Sequence, residues 1–199
     1  MKPSTVLTLV PDAAVEYVSG LLSSLPVAVK ITKKRLTKHG DYRRLADGNH
    51  QITLNTTANP YRFLITLIHE LSHFVAFETY GFNIKPHGKE WKKVYQEMMS
   101  PLIQPPIFPS SLLPLLVDHF KNPKASTDTD FNLVRGLHQY DTNPDKTYVF
   151  QLHLGDVFAL PNGRKFVRGI QRRKRFECVE MGSQKRYLIN PQAVVEKLE

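Results

Sequence analysis

The chain has one cysteine, Cys178, so no internal disulfide can form and no metal site can draw two thiolates from the same chain. That usage fits a reducing compartment, and a cytoplasmic location is expected. No apolar run approaches the roughly 18 residues needed to span a bilayer, so no membrane partner is expected. The opening stretch, MKPSTVLTLVPDAAVEYVSG, has only a short apolar segment with Pro11 and Asp12 close behind it, a poor signal peptide. There is no internal repeat. Acids are in deficit: 18 Asp and Glu face 27 Lys and Arg, for a formal charge of +9. The remaining composition is ordinary, and 41% apolar residues over 199 positions are enough for a real core. That length suits one domain with an appendage or two small domains.

The basic excess is clustered. Residues 164–186, RKFVRGIQRRKRFECVEMGSQKR, hold nine Lys and Arg against two Glu, and residues 33–44, KKRLTKHGDYRR, hold six against one Asp. Such clusters attract phosphate backbones through counterion release. They serve equally as solvated faces, and charge alone leaves both readings open.

Spacing and punctuation divide the chain. Residues 12–25 carry apolar side chains at Val15, Val18, Leu21, Leu22 and Leu25, a helical period that Pro26 ends. VAVKITKKRL alternates apolar and basic residues as a strand does; HGDYRRL reverses the chain, ADGNHQ makes a turn, and ITLN is a short strand. A long helix is predicted from Pro60 to Tyr80 with Gly81 after its end, and another over 88–99. Five prolines between Pro101 and Pro114 break up regular structure, so 101–145 reads as a covering loop or linker with one short helix, SLLPLLVDHF. KNPKASTDTD is polar and expected to be mobile. From Lys146 the pattern is short strands, with turns at 161–163 and 182–184 and a last short helix, NPQAVVEKL. The expected organisation is therefore 1–100, a connector over 101–145, and a basic β-hairpin unit over 146–199.

The chemistry concentrates in LIHELSHF, residues 67–74. At about 100° per residue, His73 lies about 40° from His69, so both imidazoles can reach one metal ion. Leu64, Leu67, Leu71, Phe74 and Val75 fall between about 140° and 240°, giving the helix a separate core face. Glu70 projects about 100° from His69, off the ligand pair but near it, where a base for a metal-activated water belongs. This is the mechanical content of H-E-x-x-H, and imidazoles suit zinc. His87 follows His73 by fourteen residues, just before the second helix, where it can point back at the pair; Gly88 permits close backbone approach. Trp91, Val94, Tyr95 and Met98 share one side of that helix and would pack it against the first. His39 and His50 fall in turns, and His119, His138 and His153 have no partner at ligand spacing, so these five are expected to be structural or surface residues.

ITLN before the helix, TLIHELSHF within it and KPHGKEWKKVYQEMM after it resemble the SprT-like zinc metallopeptidase family over about residues 10–100. The matching positions are Leu54-Asn55, His69, Glu70, His73, and His87-Gly88 with Trp91. The resemblance implies an α+β minimal zincin fold, a small antiparallel sheet packed on helices, followed here by a small C-terminal β-hairpin domain. It also implies one zinc ion per chain on His69, His73 and His87, with Glu70 as the catalytic base, in a peptidase acting on proteins, DNA-associated ones among them. Many members continue into a four-cysteine zinc ribbon. Here YVFQLHLG and FECVEMG keep only Cys178, so the C-terminal unit is expected to be a degenerate ribbon with apolar packing and no second zinc.

Some assignments stay open at this level. Tyr80 and Tyr95 are candidates for stabilising an oxyanion. ITLN would align an extended substrate if it lay at a sheet edge. Arg172, Arg173, Lys174 and Arg175 are the expected non-sequence-specific DNA contacts, at a hairpin end without stacking aromatics. The alternative functions are a catalytically silent, zinc-containing DNA-binding or regulatory protein and a metal-free scaffold.

Overall fold

The structure is a computed structural model and describes residues 4–33, 35, 38–141 and 147–198. Lys34, Leu36 and Thr37 of the first basic cluster, 142–145 at the end of the expected connector, and Lys146 at the start of the expected hairpin unit lie outside the described residues. The chain divides into two compact units, Met1–Asp141 and Thr142–Glu199.

The first unit opens with α1 (Ser4–Leu7), a 3-10 turn (Asp12–Ala14) and α2 (Val15–Ser24). Leu25 is already extended, as the residue before Pro26 must be. Three strands follow: β1 (Val27–Thr32), β2 (Gly40–Arg44) and β3 (His50–Asn55). β2 and β3 form a hairpin whose turn needs the positive φ of 86° at Gly48. β3 is central, antiparallel to β2 and parallel to β1. The sheet is thus mixed where an antiparallel one was expected. β1 and β2 are its edges. ITLN is therefore buried in the middle and offers no edge to a substrate.

Helix α3 (Pro60–Tyr80) starts where Asn59 accepts the Arg62 N–H at 3.0 Å and Pro60 fills the first turn, which has no use for its missing donor. It buries Leu64, Leu67, Leu71 and Phe74 as the period predicts, with Phe63, Ile65 and Ile68 besides, against β2, β3 and helix α4 (Lys89–Met99). α4 answers with Trp91, Val94, Tyr95, Met98 and Met99, all buried.

The first unit extends past residue 100. The prolines do break the chain into a 3-10 turn and loops, but the residues between them point inward. Leu102, Ile107, Phe108 and Leu112 join the same core as α3, followed by Leu116 and Phe120 of α5 (Leu113–Phe120) and Leu133 and Leu137 of α6 (Phe131–His138). Asn59, 1% exposed, locks the end of this segment to the start of α3 by donating to Leu137 O and Asp141 Oδ1, both at 2.7 Å. Residues 101–141 are thus a wall of the unit, where a connector was expected.

The second unit is one six-stranded antiparallel sheet. Its strands are β4 (Thr147–Tyr148), β5 (Val157–Ala159), β6 (Lys165–Arg172), β7 (Arg175–Glu180), β8 (Arg186–Ile189) and β9 (Val194–Leu198), in the order β4-β9-β5-β6-β7-β8. Phe158, Phe166, Phe176, Cys178, Ile189 and Val195 form its core. The last segment, expected as a helix, is strand β9: it pairs with both β4 and β5 and sends Val195 inward, and this pairing overrides local helical preference.

Candidate metal centre and its pocket

His69 and His73 stand one turn apart on α3, and their Nε2 atoms are 3.3 Å apart. His87 sits in the turn before α4, with its Nε2 3.0 Å from His73 and 3.2 Å from His69. Its backbone takes φ of 59°, a left-handed conformation that histidine tolerates better than most residues and that aims the ring back at α3. Gly88 follows because a Cβ there would come within 2.8 Å of Lys85 O. Trp91, fully buried, packs on all three imidazoles with ring centroids 4.7 to 5.2 Å away.

Three ring nitrogens at these separations fit one metal ion. Tetrahedral zinc with bonds of about 2.0–2.1 Å needs nitrogens roughly 3.3 Å apart. A proton on any of the three would face two other nitrogens. Burial, with the neighbouring imidazoles adding, lowers the His69 pKa to about 2 and that of His73 to about 4; burial lowers His87 as well. Each ring is therefore neutral at physiological pH, the form that ligates. Among the described residues, this is the one cluster of three or more His, Cys, Asp or Glu side chains able to hold a metal.

Glu70 is 7% exposed and lies against the start of β2. Its carboxylate accepts the Tyr42 backbone N–H. Gly40 lies against it so closely that a Cβ would come 2.5 Å from Glu70 Oε1. Burial, reinforced by Asp41, pushes the Glu70 pKa up to about 7, against the lowering pull of the Tyr42 amide and of Arg35 and Lys38. Glu70 and His69 open onto a cavity of about 260 Å³. Arg35, Lys38 and His39 line one side, Arg62 and Ile65 of α3 the floor, and Ala125 to Asp128 the far wall. Asn55 holds the first side in place: its Nδ2 donates to Arg35 O at 3.1 Å and to Lys38 O at 2.6 Å.

The SprT-like family model matches residues 11–110, half of the chain. The chain belongs to the SprT-like family. No curated protein and no solved structure matches it. The SprT-like region contains His69, Glu70, His73 and His87 and the Leu54-Asn55 strand end, and the structure gives Asn55 a task, tying Arg35 and Lys38 to β3. The far wall of the cavity lies beyond the matched region.

Neither tyrosine candidate lines the cavity, although the Tyr95 ring packs against His69 at 5.3 Å. Tyr95 is fully buried and donates to Ile65 O at 3.2 Å, and burial holds its hydroxyl protonated. Tyr80 ends α3, 42% exposed, and does not line the cavity. Sequence reasoning also missed residues that do line it. Gly40 and Arg35 looked like parts of a reversal and a charge cluster. Asp128, which takes His39 at 2.8 Å and Arg62 at 3.4 Å, stood in a polar stretch without periodicity. Only the tertiary fold brings these together. His50 meets the Tyr42 hydroxyl, while His119 and His138 pair with Asp130 and Asp141. In the second unit, Arg172 and Arg175 pair across the end of the β6–β7 hairpin, with Arg173 and Lys174 forming its turn. No helix among the described residues is long and apolar enough to cross a membrane.

Proposed function

We propose that the protein is a zinc-dependent metallopeptidase, with His69, His73 and His87 holding the ion and Glu70 acting as general base and acid. The observation that carries this reading is the cluster of three neutral imidazoles, one of which, His69, shares a cavity with a separate buried carboxylate, Glu70. Zinc bound there supplies Lewis acidity to the attacking water and the scissile carbonyl. The chain's own residues do the rest. Glu70 accepts the water proton and passes it to the leaving amine, a task suited to a carboxyl whose pKa lies near neutrality. The Tyr42 amide and the close approach of Gly40 fix its position. Edge strand β2, next to Glu70, is the edge along which an extended peptide can add. A silent regulatory protein that kept zinc for structure alone would have no use for a buried, unligated carboxylate at this point.

The decisive variant is Glu70→Gln. It is nearly isosteric and cannot take the proton. The expected result is full zinc content with peptide cleavage lowered at least about a hundredfold. Unchanged cleavage would remove Glu70 from the mechanism.

We further infer that the second unit contacts nucleic-acid phosphates through Arg172, Arg173, Lys174 and Arg175. The support is their position at an exposed hairpin end. Among the described residues, Arg173 and Lys174 have no acidic partner, while Arg172 meets Glu177 at 3.5 Å.

A further inference from the structure

We propose that the cavity beside Glu70 takes an acidic side chain of the peptide substrate, adjoining the bond that is cut, and that Arg35 selects it. The word substrate rests on the peptidase reading above; the preference for acid rests on the cavity itself. At about 260 Å³ it falls below the roughly 300–1,000 Å³ of sites for whole small ligands, which leaves room for one amino-acid side chain. Three cations line it, Arg35, Lys38 and Arg62, against two acids, Glu70 and Asp128.

Their ion pairs leave Arg35 without one, although its charge, like that of Lys38, acts on Glu70. Asp128 serves both Arg62 and His39, and Lys38 pairs with Asp41 at 2.7 Å. Arg35 instead donates to neutral oxygens: Asn55 Oδ1 at 2.8 Å, Thr53 Oγ1 at 3.0 Å and Thr53 O at 3.1 Å. Among the described residues, no carboxylate lies within ion-pair distance of it. A guanidinium has five N–H donors, so two remain for a ligand. The three existing bonds hold the half-buried fork still, so little ordering remains to be done on binding.

A carboxylate entering here gains a charge-assisted hydrogen bond. An apolar side chain would cover Arg35 and give it no partner, and a basic one would meet the like charge of Arg35. Since Glu70 opens onto the same cavity, the residue bound there is a neighbour of the scissile bond.

The test uses the zinc-loaded full chain and has two arms. In the first, the protein digests a denatured protein mixture and the new termini are read by mass spectrometry. Asp and Glu are expected to be enriched about tenfold at one position flanking the cut. In the second, Glu70→Gln protein is titrated with fluorescein-labelled peptides that differ only in a central Glu, Gln, Leu or Lys between alanines. The Glu peptide is expected to bind about tenfold tighter than the Gln peptide. Adding Arg35→Gln should abolish that ratio, and Arg35→Lys should keep most of it, with zinc content unchanged in both. The termini read in the first arm come from a protein with an unaltered cavity, so they decide even where Arg35→Gln does not fold. Cleavage without acidic preference, or a ratio unchanged in Arg35→Gln, overturns the assignment of the cavity and leaves the peptidase reading standing. Acidic preference in binding without cleavage of any substrate overturns the peptidase reading and leaves the cavity. Neither cleavage nor preference overturns both.

Discussion

Glu70 owes its position to a residue without a side chain. Gly40 begins edge strand β2, and its Cα faces the carboxylate so closely that a methyl group would stand 2.5 Å from Oε1 and 2.6 Å from Cγ. Ala at this position must push the carboxylate aside, because β2 is held in register by β3 and the Glu70 backbone by α3. A displacement of about 1 Å at a catalytic group costs up to about a hundredfold in rate. Gly40→Ala should therefore retain one zinc per chain while kcat falls about tenfold or more, with KM little changed. Steady-state kinetics beside elemental analysis checks this; an unchanged kcat would show that Glu70 is not held by the strand. The three histidines and Glu70 were legible in the sequence because one helix sets three of them and a turn before the next sets the fourth. Gly40, Arg35 and Asp128 were not, since each meets Glu70 or its cavity only through tertiary contact.

At the scale of elements, legibility followed the range of the interactions that form them. α3 and α4 have local causes: an Asn59 cap, Pro60 in the first turn, Gly81 after the end, and apolar residues at a 3.6-residue period. The pairing of β1 with β3 and the strand character of β9 have none, because they depend on chain segments far apart. NPQAVVEKL has helical spacing, yet β4 and β5 recruit it as a strand. The β6–β7 hairpin is another matter, since its basic turn is both local and exposed. Replacing Arg172, Arg173, Lys174 and Arg175 with Gln or Ser should weaken binding to single- and double-stranded DNA alike and flatten the slope of log affinity against log salt. Zinc content should not change. Binding as tight as wild type across a salt titration would make this turn a solvated surface only.

At the scale of the molecule, the first unit ends later than its family match. The SprT-like region stops at residue 110, but the core it shares with Leu112, Leu116, Phe120, Leu133 and Leu137 continues to Asp141. The prolines of 101–114 concealed this, since they rule out regular elements without ruling out burial. Removing five buried apolar side chains at about 1.5–3 kcal/mol each costs about as much as the whole stability of an ordinary domain. A fragment of residues 1–110 should show no cooperative thermal transition, and one of residues 1–141 should unfold cooperatively near the temperature of the full chain's first unit. A cooperative 1–110 fragment would mean that 111–141 only decorates the core. The account as a whole depends on one ion held by three imidazoles, two from α3 and one from the turn before α4. Elemental analysis of wild type beside His87→Ala tests it most directly. One zinc per chain in wild type, with most of it lost in a folded His87→Ala protein, is the predicted result; no metal in wild type, or full occupancy without His87, would contradict it.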